Sequence, residues 1–525
     1  MRVNILLKNY FPHKTKSFSK FGFTKPTSMK FLFSFIILCI SFQLSFAQGN
    51  FIKDSLDTYI KREMTRWNLP GLAIAIVKDG KVVLMKSYGY ADVVKKTPVT
   101  ENTEFQIASC SKAFTGTSVA LLEHYGKLKL DDLVKTHLPY FKMQDDYLTN
   151  HVTIRDILSH RIGYETFQTD LLNWASTKSR KELVENMANV TPKFGFREKY
   201  GYCNMGFVTA GEVILAASDT TWDDYLKHHY FMPLGMTRTG TTYKNFITSP
   251  NASKAYTLLN GNLFEIPPSS VDNIGAAGSM TSNVNDLSKW VMMQLDNGKY
   301  NGKQVVPEKV IQKTRAANTV VYRISTPEHH FMNYGLGWFI EDAHDKKVVE
   351  HEGGANGYLS KIVLVPEDNF GFVILSNNDQ QLLFDALSEQ ILKDFTKQPY
   401  VNVSEVYYKG FKEGYDEEQR VIKELKKEVA VYKAPADAYK KLVGTYSNKV
   451  YGNITIEAKD GYGEVSFEFH PQYKGKIYFK SSTAMMIEYN DESSLGVKEI
   501  NVTDKTIEIK VNEFVDMDTY LFTKN

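Results

Sequence analysis

Cysteine is almost absent from this chain of 525 residues: Cys39, Cys110 and Cys203 are scattered in no metal-ligand spacing. No two histidines fall at an H-x-x-x-H interval with an acid on one helix, so no metal centre is announced by local sequence, and His228-His229 and His329-His330 read as exposed polar pairs. An excess of one charge is lacking too. The formal net charge is +3, but residues 1–47 hold seven Lys/Arg and no acid, which leaves 56 basic against 60 acidic side chains in the remainder. No basic surface for nucleic acid is implied. Nor is there an uninterrupted run of the roughly 20 apolar residues that a membrane span requires. The most apolar stretch, Met29 to Ala47, is broken by Ser34, Ser41, Gln43 and Ser45.

That stretch has a basic start, an apolar centre and a small-x-small end at Ser45-Phe46-Ala47, the pattern of an export signal cleaved after Ala47; retention as an anchor is the competing reading. Met29-Lys30 makes a natural beginning, so residues 1–28 are either a long basic region or precede the true start. Cys39 leaves with the signal, and the large Leu38 before it argues against a lipoprotein. The expected destination is the periplasm or the exterior, with no membrane span left after cleavage.

The rest has the composition of an ordinary globular protein, 43% hydrophobic and 23% charged, long enough for two or more domains. Apolar residues at helical spacing from Asp54 to Trp67 precede two strands, Leu72 to Val77 and Val82 to Tyr88, around an Asp79-Gly80 hairpin signal. From Ser111 to about Tyr230 the pattern is helical. Strands return at Gly335 to Ile340, Lys347 to Glu350, Leu359 to Val365 and Phe370 to Leu375, and a helix from Gln381 to Lys397 closes the segment. Strands at both ends with helices between predict an α+β fold: one antiparallel sheet built from both termini of the domain, flanked by helices and packed on an all-helical region, with a cleft between. The charge-dense segment 401–435 reads as a helical linker, and 436–525 as a small β-barrel or sandwich of short alternating strands. The expected division is leader 1–47, main domain 48–400, linker 401–435 and β-module 436–525.

Within the main domain Ser109-Cys110-Ser111-Lys112 stands at the start of an apolar helix, where unpaired NH groups and the dipole favour a developing anion. Lys112 is one turn from Ser109 on the same face. A serine hydroxyl becomes a nucleophile when a neighbour takes its proton, and only a neutral lysine does that. At a pKa of about 10.4, roughly one lysine in 2,500 is neutral at pH 7, so a closed, dry site is required. S-x-x-K alone is weak, recurring at Ser17. Tyr202-Cys203-Asn204 before a helix and His351-Glu352-Gly353 after a strand are equally weak singly, since Y-x-N recurs at Tyr243, Tyr400, Tyr446 and Tyr451, and H-x-G at His124. Their order and context select them together.

With those three elements the chain resembles the penicillin-recognising serine hydrolases, in the class C β-lactamase branch that includes D-amino-acid peptidases and esterases, over residues 52 to about 397. Supporting stretches include Thr153 to His160, Pro233 to Met236, Ala276 to Thr281, Tyr334 to Trp338 and Gly353 to Tyr358. The resemblance implies Ser109 as nucleophile, Lys112 as its base partner, Tyr202 as proton relay, Asn204 as a substrate-amide contact, and the backbone NH groups of Ser109 and Gly354 as an oxyanion hole, with His351 and Gly353 facing substrate. It implies a small peptide, amide or ester substrate and no cofactor or metal. His351 departs from the lysine that β-lactamases of this branch place there. A histidine with pKa near 6.5 would make capture of a substrate carboxylate pH-sensitive, and H-x-G is more like the peptidase and esterase members. The alternatives are a β-lactamase proper and a non-catalytic penicillin- or peptide-binding protein. The β-module resembles the lipocalin-like tails of some of these hydrolases. Cys110 and Cys203 each follow a candidate catalytic residue, and both a disulfide and a pair of packed thiols are open.

Overall fold

The computed structural model describes residues 51–321, 329–435, 437–490, 495–512, 515–516 and 518–525. The export-signal reading of Met29 to Ala47 lies outside them. Among the described residues no helix is long and apolar enough to cross a membrane.

After helix α1 (Leu56–Arg66) come strands β1 (Gly71–Lys78), β2 (Lys81–Asp92) and β3 (Thr97–Pro98), then a mainly helical stretch containing α2 (Ser111–His124), α3 (Asn204–Ser218) and α4 (Val284–Leu295). The chain returns to the sheet as β4 (Thr319–Val321), β5 (Met332–Tyr334), β6 (Phe339–Ala343), β7 (Lys346–Ala355), β8 (Tyr358–Val365) and β9 (Phe370–Ser376), followed by α5 (Leu383–Phe395). The order across the nine strands is β4-β5-β6-β7-β8-β9-β1-β2-β3. First and last segments meet where β1 pairs antiparallel with β9, Leu72 opposite Ser376 and Lys78 opposite Phe370. The expected sheet from both termini is therefore present. Its β7 strand runs five residues past the expected Glu350, carrying the H-x-G element within the sheet.

Both faces of the centre are covered, and β1 shows how. Successive side chains of a strand point to opposite faces. Ala73, Ala75 and Val77 join the core that contains Trp290 and Val291 of α4, while Leu72, Ile74 and Ile76 join Leu56, Ile60, Leu383 and Leu387 of α1 and α5. The small residues on one face and branched ones on the other suit the helices each face receives. Helix α2 runs inside the first core; every residue from Ser111 to Leu122 is buried, and over that span Lys112 is the single charged side chain, with small polar and apolar residues mixed on all sides rather than in stripes.

One unbroken 29-residue helix, α6 (Val403–Val431), follows the main domain. Trp67 anchors it, with its ring 5.0 Å from Tyr408 and its Nε1 donating to Ser404 Oγ at 2.8 Å. Beyond it, eight strands from Gly444 to Lys524 form a closed barrel in which the first strand pairs with the last. Closure removes exposed sheet edges. The barrel docks on the segment Phe167–Thr177 of the main domain: Leu171 enters its core, Gln472 Nε2 donates to Ala175 O at 2.8 Å, and Thr177 N donates to Phe469 O at 2.9 Å.

Where α2 passes the sheet the fit is backbone to backbone. A Cβ on Gly116 would stand 2.0 Å from Leu336 O. In an exposed helix Gly→Ala gains about 1 kcal/mol. Here the overlap with a buried carbonyl outweighs that gain, so Gly116→Ala is expected to destabilise the protein by about 1–3 kcal/mol in denaturant unfolding; an unchanged or raised midpoint contradicts this packing.

Candidate active site

Ser109 stands on a 3-10 turn, Ala108–Cys110, that runs directly into α2. Ala108 has φ +44°, a left-handed conformation that costs a residue with a Cβ. The turn is held from several sides. Ser111 Oγ donates to Ala108 O at 2.6 Å and accepts from Met280 N, Ile107 N donates to Met280 O at 2.9 Å, and Ser360 Oγ donates to Ile107 O at 2.8 Å. Strand β7 passes so closely that a Cβ on Gly353 would lie 2.1 Å from Ile107 O. This gives the glycine of H-x-G a physical reason: only a bare Cα lets the strand approach the serine turn.

Lys112 is wholly buried one turn below Ser109. Its Nζ donates to Asn204 Oδ1 at 2.7 Å and to Ala277 O at 2.7 Å, and lies 3.0 Å from Ser109 Oγ. The first two partners are acceptors only. A neutral amine has two hydrogens and one lone pair; if Asn204 and Ala277 take the hydrogens, the lone pair is left for the Ser109 hydroxyl. Burial pushes the lysine from 10.5 down to about 7, opposed by the nearby Asp170 carboxylate.

Asn204 opens α3 and links that lysine to Asp170, donating through Nδ2 to Asp170 Oδ2 at 2.6 Å. Its amide is thus already engaged at both ends, and a substrate contact would use the second hydrogen of Nδ2. Burial lifts Asp170 to about 8, helped by Asp516 of the barrel and opposed by the amides of Asn173 and Asn204. Tyr202 is buried with its ring 4.7 Å from Lys112 Nζ. Burial holds its phenol far above 10, offset in part by a hydrogen bond with Ser109. The ring packs against His160 with centroids 4.4 Å apart and planes tilted by 32°, and His160 Nδ1 accepts from Cys203 N at 3.0 Å, so the histidine fixes the Tyr202-Cys203 backbone and ring together.

A cavity of about 150 Å³ is lined by Ser109, Tyr202, Asn204, His351, Gly353 and Gly354, and Lys112 contacts two of these, Ser109 and Asn204. The sequence-derived candidates therefore converge on one place. Four of the remaining lining residues had no sequence signal: Asp170, the apolar Phe167 and Trp174 on the segment where the barrel docks, and Val515 from the barrel itself. Only long-range contact creates them.

The structure corrects the expectation for His351. The ring is buried, with Nδ1–H donating to Glu352 O at 2.6 Å and Nε2 accepting from Tyr334 Oη at 2.9 Å. Burial, reinforced by the Lys112 charge, pushes it down to about 3. It stays neutral through the range where a free histidine titrates, so it supplies no switchable cation for a carboxylate. Of the two readings open for the cysteines, the structure shows packed thiols. Cys110 and Cys203 are free and buried; Cys110 Sγ donates toward His351 O at 3.3 Å and sits 3.3 Å from Ser360 Oγ, facing the sheet.

Residues 56–393 match the family model described as Beta-lactamase. Among curated proteins the chain is 29% identical over 349 residues to "Protein flp" of Staphylococcus aureus (strain NCTC 8325 / PS 47), covering 65% of this chain and 66% of that protein. It is 28% identical over 334 residues to "Unguisins hydrolase ungD'" of Aspergillus campestris, covering 61% of this chain and 60% of that one. The chain thus matches somewhat under two thirds of the length of these relatives. The octameric penicillin-binding protein homologue from Pyrococcus abyssi superimposes with TM-score 0.58 at 21% identity, over 89% of this chain and 99% of that one, and shares the fold.

Burial pushes both thiols, Cys110 and Cys203, up to about 12, which leaves them inert in the native protein. Thiol titration without reductant is expected to find neither reactive when folded and both reactive when denatured; loss of both in the denatured state would establish a bridge.

Proposed function

The chain belongs to the beta-lactamase family of serine hydrolases, and on that premise we propose that it cleaves a small amide or ester through an acyl-enzyme on Ser109, as a peptidase or esterase rather than as a β-lactamase. The observation that carries this reading is the three-way partnership of Lys112 Nζ with Asn204 Oδ1, Ala277 O and Ser109 Oγ. In the proposed sequence neutral Lys112 takes the Ser109 proton as Oγ attacks the carbonyl carbon. The tetrahedral oxyanion is received by the backbone NH groups of Ser109 and Gly354, donors typically worth about 3 kcal/mol each. Tyr202 passes a proton to the leaving group, the C–N or C–O bond breaks, and water then releases the acid by the reverse route.

Two features favour a compact neutral acyl group over a carboxylate-bearing β-lactam. His351 contributes no positive charge. The cavity of about 150 Å³ is narrowed by Phe167, Trp174, Phe339 and Val515, all apolar. Export and delivery of this activity outside the cytoplasm remain part of the proposal, resting on the Met29 to Ala47 signal pattern.

Intact-mass analysis across activated esters, D-amino-acid amides and penicillins tests the nucleophile and the substrate class together. A single acyl adduct that vanishes in Ser109→Ala, with turnover lowered by about 10⁶, is expected; an adduct retained in that variant refutes the assignment. Lys112→Ala is expected to cost 10²–10⁴-fold in turnover.

The acid limb of kcat/KM reports the base. Because the neutral lysine is the active form and the side chain is held near 7, kcat/KM is expected to fall tenfold per pH unit below that value and to level above it. His351→Gln should leave the position of this limb unchanged. A limb centred near 6.5 that disappears in His351→Gln would assign the titration to the histidine instead.

A further inference from the structure

His329, His344 and Glu389 come from three separate elements and meet away from the serine cavity: just ahead of β5, in the turn between β6 and β7, and on α5. One donor atom from each lies within 4.8 Å of the other two. We propose that these three side chains form a binding site for a divalent transition-metal ion of the zinc type, which ties the β6–β7 hairpin to α5.

The turn itself points to a ligand. His344 and Asp345 have φ +52° and +61°, the paired left-handed conformation of a two-residue hairpin, where Asn-Gly is the favoured sequence. A histidine is a poor choice for such a turn and a worse one to bury, yet His344 is only 6% exposed. Its Nε2 is 3.0 Å from Glu389 Oε1, and its Nδ1 is buried without a hydrogen-bond partner. In a neutral ring whose Nε2–H is given to Glu389, Nδ1 presents a buried lone pair that no donor meets; in a charged ring Nδ1–H lacks an acceptor. A cation held at Nε2 beside the Glu389 carboxylate takes the neutral ring as its ligand and leaves the ring's one hydrogen on Nδ1.

Geometry and charge agree. Two donors about 2.0–2.1 Å from one tetrahedral zinc are roughly 3.3 Å apart, close to the 3.0 Å between His344 Nε2 and Glu389 Oε1. The His329 ring centroid lies 5.4 Å from that of His344, so a small rotation of the less buried His329 completes the set. Glu341 Oε2, 3.5 Å from His329 Nδ1, or a water supplies the fourth position. Lys393 Nζ is 3.6 Å from Glu389 Oε1 and offsets one carboxylate. Two carboxylates against one ammonium leave room for a dication. Two imidazoles and a carboxylate are the donors that zinc accepts readily. Of the expected exposed pair, His330 is exposed and His329 is half-buried. His344 and Glu389 stand 15 and 60 residues from His329 in the chain, outside any local motif.

Titration of the chelator-treated, tag-free protein with ZnCl2 by calorimetry tests the site. One saturable equivalent per chain is expected, with a rise in thermal midpoint and an intense tetrahedral visible spectrum when Co2+ is substituted. His344→Asn, which suits the left-handed turn, and Glu389→Gln should each weaken zinc binding by at least about 100-fold and leave ester hydrolysis unchanged. Should His344→Asn fail to fold, His329→Gln and Glu389→Gln carry the comparison. Absence of saturable binding in the wild-type protein, or binding that survives all the variants, overturns the proposal.

Discussion

The structure depends on one expensive act, the burial of an amine. Taking Lys112 from 10.5 to about 7 corresponds to about 5 kcal/mol of disfavoured charge, a large share of the 5–15 kcal/mol by which a folded domain is stable. The unfolded chain keeps its lysine protonated where the folded one has shed the proton, so this group favours folding increasingly as pH rises from about 7 towards 10.5. Everything around Lys112 serves to offset the cost. Asn204 at the head of α3 and the carbonyl of Ala277 each hold a hydrogen, and the phenol ring of Tyr202 stands over the nitrogen. Three chain segments more than 70 residues apart must be brought together to do this. A helical region inserted between the two halves of a sheet accomplishes it.

The close approach of β7 to the Ser109 turn follows from the same requirement for dryness. Gly353 lets the strand touch Ile107, Ser360 on β8 bonds that same carbonyl, and Cys110 fills the space behind. His351 then makes hydrogen bonds to the protein through both ring nitrogens. Its neutrality follows from the same packing that brings Lys112 down to about 7, reinforced by Lys112 whenever that group is charged. Burial thus lowers two basic side chains in one enclosure, Lys112 to about 7 and His351 to about 3.

Asp170 extends this coupling to the barrel. It reaches Lys112 through Asn204, and its neighbour Leu171 donates from its backbone NH to Asp516 while its side chain enters the barrel core. The carboxylate of Asp516 helps to hold Asp170 up near 8. A neutral Asp170 spares Lys112 the carboxylate charge that most favours its protonated form. The barrel is therefore placed to set both a wall of the cavity, through Val515, and, through Asp170, the charge state of Lys112.

What could be read in the chain was whatever has a period or a fixed local spacing. Alternation in β1, the apolar helix after Lys112 and the short strands of the barrel all reach the structure as expected, and S-x-x-K, Y-x-N and H-x-G converge on a single cavity. Two kinds of feature escaped. The first comprises groups joined only by the fold: Asp170 under Asn204, His160 against Tyr202, and the His329, His344 and Glu389 cluster, none of which shares a local interval with its partners. The second is the chemical state of a residue correctly located. His351 was placed by its motif, but its behaviour was inferred from a free imidazole. With Tyr334 donating to one nitrogen and the Glu352 carbonyl accepting from the other, burial disfavours the charged ring. Position is legible in a motif because spacing survives folding; protonation is not, because it belongs to the walls.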